Sequence, residues 1–335
     1  MTARSPLIDV HTHVVPRGLP FGHDHRFAAF LDHGDTADVL VGGAHFRTVP
    51  REAWDVDARV GAMDAGGIAV QAISVMPELF SYWAEPALGT SFCRRLNEAV
   101  AEMAAAAPDR LVGLGAVPLQ DLDAAIAALD DVRSLGLAGV EVGSNVLGTV
   151  TGAARFLPFF QAAAGAGLCV FVHAFHPPYW DCVADPPMAA AVNFPSELGT
   201  SVAAMVANGF VEQSPGLRVC SSHGGGTLPL HLPRMQAFWD ADPARAERGS
   251  PFDAVRSMWF DSLTYAPAAL RSLLDLVGAA RVVVGSDAPF FAPAPGYVVE
   301  ELHQLEPLDP EVLTAIRTTN AVEFLGLPHA PRGAA

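Results

Sequence analysis

Short apolar runs alternate with amphipathic segments along most of the chain. The runs lie at residues 7–10, 70–76, 111–117, 139–143, 168–173, 217–223, 258–263 and 281–287. Segments with the helical spacing of apolar residues separate them, a pattern that is typical of parallel sheets built from repeated βα units. Eight such units predict an α/β fold of the (β/α)8, or TIM-barrel, class, with a single domain over residues 1–335.

A doubly wound parallel sheet is the alternative architecture that the same alternation allows. Such a sheet often binds a dinucleotide through a Gly-x-Gly-x-x-Gly turn after its first strand. The first run here continues instead as "HTHVVP". The barrel is therefore the favoured prediction.

The alternation breaks once, between the first run and the first helical segment. Residues 14–54 lie there, and a connection of this length within a domain usually has a function of its own. It contains "DVLVGGAHFRTV", in which Gly42 and Gly43 have the composition of a tight hairpin turn. We therefore expect a small antiparallel insertion that folds over the mouth of the barrel.

The composition disfavours several kinds of partner. Of the 335 residues, 51% are apolar, which is ample for a buried core, and the formal net charge is −16. A charge of that sign disfavours nucleic acid and anionic membranes. No apolar run is long enough to span a bilayer, and the first residues lack the pattern of a secretory signal. We expect a cytoplasmic protein.

Two residue types limit the chemistry. The sequence has no lysine, so all 20 of its basic residues are arginine. This excludes a Schiff-base lysine and a carbamylated lysine that bridges two metal ions, and it leaves arginine as the fixed cation for a substrate anion. The 4 cysteines show no Cys-x-x-Cys spacing. We therefore expect free thiols, buried at Cys169 and Cys220, and neither a disulfide framework nor a thiolate metal site.

Residues of metal-ligating types end four of the predicted strands. The first run leads into His11 and His13, and residues i and i+2 of a strand point to the same side. The runs that end at His173, His223 and Asp287 add three more candidates. Catalytic groups of such barrels lie at the carboxyl ends of the strands, and imidazole and carboxylate both bind divalent metals. These residues predict a metal centre on one rim of the barrel.

The histidine pair after the first strand and the aspartate after the eighth resemble the signature of the amidohydrolase superfamily. Longer stretches are similar to one branch, the α-amino-β-carboxymuconate-ε-semialdehyde decarboxylase family. They extend over nearly the whole chain and read "FRTV", "QAISVMPELFSYWA", "FVH", "HGGG", "GSDAPF" and "NAVEFLGL". The resemblance implies a metal-dependent, non-oxidative decarboxylase that acts on a small unsaturated or aromatic carboxylate.

The resemblance also implies roles for particular residues. One zinc ion, or another divalent ion such as Mn²⁺, would have water in its open position and protein ligands from His11, His13, His173 and Asp287. His223 would stand beside that water as a general base without binding the metal, and Asp287 would share in the chemistry. Two arginines would bind substrate carboxylates. Arg47 lies in the insertion, and Arg234 would reach the pocket of the neighbouring subunit of a homodimer.

Some positions depart from the pattern of the decarboxylase family. Ala174 and Phe175 stand where the family has proline and tryptophan, and Ala288 stands in place of a tyrosine. Residues 189–191 are alanine in a region where the family has a tryptophan. These changes remove aromatic bulk near the pocket, where we expect Phe175 and Phe290 to contact the substrate. The identity of that substrate stays open.

Two mechanisms are open for the decarboxylation. Water activated by the metal could add to an unsaturated carbon before carbon dioxide leaves, or the metal could chelate the substrate while a site acid protonates the carbon. A hydrolase or hydratase of the same superfamily, such as a lactonase, is the first alternative function. A barrel that is stabilised by its metal and has no activity is the second.

Overall fold

Parallel strands form the centre of the molecule. The computed structural model describes residues 5–19, 24, 26–245, 248–290 and 308–329. In chain order the strands are β1 Ile8–Val14, β2 Ala29–Asp32, β3 Thr36–Val41, β4 Ala44–Pro50, β5 Val70–Val75, β6 Leu111–Gly115, β7 Gly139–Gly143, β8 Asn145–Val146, β9 Thr149–Val150, β10 Cys169–His173, β11 Arg218–Ser221, β12 Trp259–Asp261 and β13 Val282–Val283. An eight-stranded sheet runs in the order β1-β5-β6-β7-β10-β11-β12-β13.

The two edges of this sheet also pair with each other. The N–H of Val10 donates to the carbonyl oxygen of Val284 at 2.8 Å, and the N–H of His13 donates to that of Ala288 at 2.7 Å. The bridges between β1 and the segment around β13 are parallel, like the rest of the sheet. The sheet therefore closes into a barrel, and the predicted (β/α)8 fold is confirmed over the doubly wound alternative.

The barrel strands are buried because they are covered on both faces. Every residue of β1, β5, β7 and β10 is buried, and this explains why the runs are almost continuously apolar rather than alternating. Several predicted strands are shorter than expected, including two whose ends carry site residues. Strand β11 ends at Ser221 and β13 at Val283, so His223 and Asp287 lie in the loops just beyond them, still at the carboxyl end of the barrel.

The segment after β1 contains a second, smaller sheet. Strands β2, β3 and β4 are antiparallel in that order. Gly42 and Gly43 join the last two strands with φ values of 60° and 78°, the left-handed conformation that tight two-residue hairpin turns require and that glycine adopts without strain. The predicted antiparallel insertion is confirmed as a small sheet. Residues 20–23 and 25 of the insertion lie outside the described residues.

Helices follow most of the barrel strands. They are α1 Val56–Gly66, α2 Pro86–Ala106, α3 Leu122–Ser134, α4 Leu157–Gly165, α5 Pro186–Ala207, α6 Phe210–Gln213, α7 Leu228–Asp240, α8 Pro251–Arg256 and α9 Pro267–Val277, with Pro310–Thr314 and Asn320–Leu325 joined by a π-helical turn at Ala315–Thr319. The carboxylates of Asp55 and Asp121 cap α1 and α3 by accepting main-chain N–H bonds. In the described part of the chain, no helix combines the length and apolar character that crossing a membrane demands.

The four cysteines are free thiols. Cys93, Cys169 and Cys220 are buried, whereas Cys182 is exposed. Cys169 begins β10 and Cys220 lies on β11, where both pack in an apolar cluster with Phe171. The predicted burial of Cys169 and Cys220 is confirmed.

Candidate metal centre and active-site cavity

Three imidazoles and one carboxylate meet at the carboxyl end of the barrel. Their ligand atoms lie within 4.8 Å of one another and belong to His11, His13, His173 and Asp287. Strand β1 carries the first two, β10 ends at the third, and the loop after β13 carries the aspartate. We call these four residues the ligand cluster. It has the number and the types of donor that a divalent metal ion uses.

The donor atoms of the ligand cluster point at one place. The Nε2 atoms of His11, His13 and His173 lie 3.5, 3.0 and 4.0 Å from Oδ1 of Asp287. All three nitrogens are buried without a hydrogen-bond partner, which is costly for polar atoms in a protein interior. A cation at their common focus would satisfy all of them. The residues present therefore fit a divalent metal ion.

Opposite charges and burial set the protonation of the ligand cluster. Burial alone would raise the pKa of Asp287, but His13, His11 and His173 beside it hold that pKa well below its usual range. Burial and the charges of His13 and His11 lower the pKa of His173 well below its usual value. An ionised carboxylate and a neutral imidazole are the states in which these side chains bind a metal.

The outer nitrogens of two ligand histidines are held by oxygen atoms. Nδ1 of His11 lies 2.6 Å from Oδ2 of Asp261, and Nδ1 of His173 lies 2.6 Å from the carbonyl oxygen of Ala174. A partner that only accepts keeps the proton on Nδ1, so that the lone pair of Nε2 faces the metal position. These contacts fix both the ring orientation and the tautomer.

Asp261 ends β12 behind the ligand cluster and is fully buried. Its Oδ1 accepts the N–H of Gly224 at 2.9 Å and that of Leu263 at 3.1 Å. Burial would raise its pKa, but the contact with His11 outweighs burial and lowers it. Burial on its own would lower the pKa of His11, but the hydrogen bond and the charge of Asp261 outweigh burial and raise that pKa to about 9. Asp261 was not among the residues predicted from the sequence, although its place at a strand end was a usable signal.

A second buried carboxylate lies behind His13. Oε2 of Glu141, on β7, is 3.9 Å from Nδ1 of His13, and Glu141 has no exposed surface. Burial raises its pKa to about 7. A carboxylate in the middle of the apolar strand "GVEVG" was a signal that the sequence analysis did not use.

His223 stands beside the ligand cluster. Its ring centroid lies 5.2 Å from that of His11 and 5.5 Å from that of His173, and the ring stacks against Tyr265. Burial and the charge of His11 lower the pKa of His223, which favours the neutral imidazole. It is outside the group of residues whose atoms converge for a metal. His223 is therefore a neighbour of the ligand cluster, and its role as a base stays a prediction.

The backbone at this rim is strained. His223 and Asp287 have φ values of 48° and 61°, in the left-handed region that few residues other than glycine occupy, and such strain is concentrated at functional sites. After His223 the chain turns through three glycines, of which Gly226 has the least room. A Cβ atom there would lie 2.1 Å from the carbonyl oxygen of Pro195. The "HGGG" segment is therefore a turn fitted against α5.

A cavity of about 520 Å³ opens above the ligand cluster, a volume that suits a small organic ligand. Polar atoms reach it from three members of the cluster and from His223. Its other walls are mostly apolar and include Pro77, Ala174, Phe175, Pro187, Met188, Ala190, Ala191, Phe194, Pro195, Tyr265 and Phe290. The predicted contact residues Phe175 and Phe290 are both among them, and so are two alanines of the segment that lacks the family's tryptophan.

Arg47 reaches this cavity from the insertion. Its Nη1 donates to the carbonyl oxygen of Phe290 at 3.4 Å, and its guanidinium lies 4.8 Å from the centroid of that ring. The ring of Phe290 stacks on His13 with the centroids 5.4 Å apart. A cation from β4 is therefore held next to the ligand cluster.

Arg234 is not brought into the same cavity. It lies on α7 and lines a separate surface hollow of about 450 Å³ together with residues of α5 and α7 such as Ala203, His231 and Phe238. Its guanidinium stacks on Phe238 with 4.9 Å between the charge centre and the ring centroid. Within one chain, Arg47 and Arg234 therefore line different cavities.

A comparison with known protein families gives one match over most of the chain. The model of the amidohydrolase family matches residues 8–327. Among curated proteins, a 2-amino-3-carboxymuconate-6-semialdehyde decarboxylase of Dictyostelium discoideum is 30% identical, over 97% of this chain and 92% of that protein.

Solved structures share the fold at lower identity. The apo form of IDCase from Metarhizium anisopliae superposes with a TM-score of 0.83 at 21% identity, covering 97% of this chain and 98% of that one. A dihydroxybenzoic acid decarboxylase from Polaromonas sp. JS666, solved with manganese and the inhibitor 2-nitroresorcinol, has a TM-score of 0.75 at 18% identity, covering 97% and 98%.

Proposed function

The chain belongs to the amidohydrolase family, and we propose that it is a metal-dependent decarboxylase that removes carbon dioxide from a small unsaturated or aromatic carboxylate without oxidation. The observation that carries the proposal is the convergence of three unpartnered imidazole nitrogens and Asp287 below a cavity that Arg47 also lines. The similarity to a curated decarboxylase along nearly the whole chain supports it.

One divalent ion per chain is held by His11, His13, His173 and Asp287 in this proposal. Zinc suits three imidazoles and one carboxylate. Manganese is the alternative, supported by the manganese-bound structure of similar fold. When bound, the ion supplies a positive charge that polarises a ligated oxygen and stabilises negative charge on the substrate.

The protein's own residues bind and orient the carboxylate. The planar guanidinium of Arg47 pairs with a substrate carboxylate and holds it near the ligand cluster, since arginine suits bidentate carboxylate binding. The rings of Phe175 and Phe290 form walls for the unsaturated part of the substrate. Strand β4 of the insertion thereby becomes part of the cavity mouth, and the contact between Arg47 and Phe290 supports this role.

His223 moves the proton. Decarboxylation breaks a carbon–carbon bond, leaves the electron pair on the substrate carbon and requires a proton there. The imidazole of His223, next to the ligand cluster, takes up from solution the one proton that the reaction consumes and delivers it to that carbon, so that the carboxylate leaves as carbon dioxide. Asp287 contributes by fixing the charge of the cluster, since it contacts all three ligand histidines.

The pocket is completed by a second subunit, and the protein acts in the cytoplasm. Arg234 lies outside its own cavity on a surface with the exposed side chains of Leu230 and Phe238. Such an apolar surface supports a homodimer in which Arg234 enters the partner's pocket. The substrate in this arrangement meets one arginine from each subunit.

Carbon dioxide release tests the proposal directly. Protein loaded with one zinc ion is incubated with a panel of hydroxybenzoates and unsaturated dicarboxylates, and carbon dioxide and the decarboxylated product are measured together. The expected result is equal amounts of both, with a hydrogen in place of the lost carboxylate. Arg47→Ala should abolish the reaction. Hydrolysis of lactones by the same protein without carbon dioxide release from any carboxylate would favour the hydrolase alternative instead.

A further inference from the structure

A carboxylate and an imidazole form a polar pair in the wall of the cavity, apart from the ligand cluster. Glu78 lies in the 3-10 turn Pro77–Phe80 that follows β5, and His176 lies three residues after β10. Nε2 of His176 is 3.4 Å from Oε1 of Glu78. Both residues line the cavity, and their side chains are 14% and 33% exposed. The pair therefore faces whatever the cavity holds.

His176 is held in place by its surroundings. Its ring lies between aromatic side chains, with centroids 4.2 Å from Trp180, 5.2 Å from Phe194 and 5.7 Å from Phe175. Asn145 donates to its carbonyl oxygen at 3.1 Å. Because these rings hold the imidazole in place, the Glu78 carboxylate that contacts it has a fixed partner and a defined position.

Arg47 and Glu78 both line the cavity, and each has a contact of its own. Arg47 donates to the main chain of Phe290 and stacks on its ring, whereas Glu78 pairs with His176. The other walls of the cavity are mostly apolar, so interactions with either charge are weakly screened. Within the cavity of one chain, a ligand whose carboxylate lies at Arg47 and the ligand cluster has apolar walls and the Glu78–His176 pair for its remaining substituents.

We propose that Glu78, positioned by His176, is a specificity-determining residue that selects substrates carrying a hydrogen-bond donor, a hydroxyl or an amino group, away from the reacting carboxylate. A carboxylate only accepts hydrogen bonds. Glu78 therefore stabilises a hydrogen-bond donor on the part of the substrate that lies next to it and disfavours a second carboxylate there. The inference rests on the proposed function, because it takes the reacting carboxylate to lie at Arg47.

The role of Glu78 is tested by measuring, with calorimetry, how tightly matched ligands bind to the zinc-loaded protein. The probes are 3- and 4-hydroxybenzoate, the corresponding fluorobenzoates, which have similar size and no donor, and isophthalate, which has a second carboxylate. At whichever ring position, 3 or 4, gives the larger difference, the wild type should bind the hydroxybenzoate about tenfold more tightly than the fluorobenzoate. This is the difference expected for a hydrogen bond to a charged group. In Glu78→Leu the preference should fall below about threefold. Glu85→Leu is the control, since Glu85 is exposed and its side chain makes no capping bond.

A second variant provides an independent test of the role of Glu78 if Glu78→Leu does not fold. Glu78→Gln keeps the size of the side chain and removes its charge, so isophthalate should bind about tenfold more tightly to it than to the wild type. An unchanged hydroxyl preference in Glu78→Leu, or unchanged isophthalate binding in Glu78→Gln, would overturn the inference. Arg47→Ala should weaken every probe regardless of its substituent. If no benzoate binds the wild type, this inference is overturned, whereas carbon dioxide release from the unsaturated dicarboxylates still decides the proposed function.

Discussion

Nδ1 of His11 lies 2.6 Å from Oδ2 of Asp261, and both side chains are fully buried. The contact joins β1 to β12, which are separated in the sheet by β13. A ligating imidazole can carry a proton on only one nitrogen, and Asp261 keeps that proton on Nδ1. The lone pair of Nε2 then faces Asp287. Metal binding therefore depends on a residue that does not touch the metal.

Asp261→Asn should weaken metal binding while the fold is retained. The amide lacks the negative charge that stabilises the Nδ1 proton of His11, and loss of such an outer partner typically costs about 10- to 100-fold in metal affinity. Competition with a chromophoric chelator measures the affinity, and circular dichroism checks the fold. Asp123→Asn, an exposed change in α3, is the control. Equal metal affinities for the wild type, Asp261→Asn and Asp123→Asn would show that Asp261 only stabilises the Gly224 loop.

His11→Ala should lose most of the bound metal, because it deletes a ligand of the cluster. Elemental analysis of the wild type should give about one divalent ion per chain. His33→Ala removes an exposed imidazole that contacts Asp38 and should leave the metal content unchanged. Two tightly bound ions per chain would contradict a mononuclear site.

Removal of the metal should destabilise the protein. The ligand cluster buries three nitrogens without hydrogen-bond partners, and in the metal-free protein a single carboxylate oxygen of Asp287 lies near all three, which offsets only part of their lost hydration. Free metal at about 1,000 times its dissociation constant should add about 4 kcal/mol to the free energy of unfolding. Urea titrations with and without a chelator measure the difference. In His11→Ala the two titrations should coincide, and a shift of wild-type size there would place the stabilising metal elsewhere.

The barrel and the ligand cluster could be predicted because each element has its own local signal. The apolar runs marked the strands, and the histidine pair on β1 and His173 on β10 stand at strand ends where any parallel barrel brings them together. Asp287 and His223 were placed on the correct rim although their strands end earlier. A shift of two to four residues at a strand end does not move a side chain to the other end of the barrel.

The outer contacts could not be predicted because they depend on packing between distant elements. Asp261 meets His11 across 250 positions of sequence, and nothing in "MWFDSL" indicates which histidine it approaches. Glu78 and His176 are 98 positions apart, and their pairing follows from how two loops lie above the sheet. The sequence shows that such residues exist at strand ends, whereas the distances between them belong to the folded chain.

His223→Ala should keep its metal and lose turnover. The ring lies beside the ligand cluster without joining it, so its removal takes away proton transfer alone. A general acid or base typically contributes about 10²- to 10⁴-fold to the rate. Metal content and carbon dioxide release measured on the same preparation separate the two properties. A loss of metal comparable to that in His11→Ala would place His223 among the ligands.

Arg47→Ala and Arg234→Ala should each abolish activity if the pocket is shared between subunits. Arg47 lies in its own cavity next to Phe290, whereas Arg234 lies on α7 outside it. Truncation of either arginine would leave a bound carboxylate without its charge partner, at a cost of roughly 2–5 kcal/mol. Steady-state carbon dioxide release measures the loss, and Arg94→Ala, an exposed change in α2 that removes an ion pair with Glu98, is the control.

Mixing the two inactive variants should restore part of the activity. In a mixed dimer, one pocket combines the intact Arg47 of one chain with the intact Arg234 of the other, while the second pocket lacks both. Recovery per mixed dimer therefore cannot exceed about half of the wild-type value. Subunit exchange is verified with differently tagged chains before activity is measured. If exchange is complete and no activity returns, Arg234 does not enter the partner's pocket, and the carboxylate that it was proposed to bind must be held by residues of a single chain.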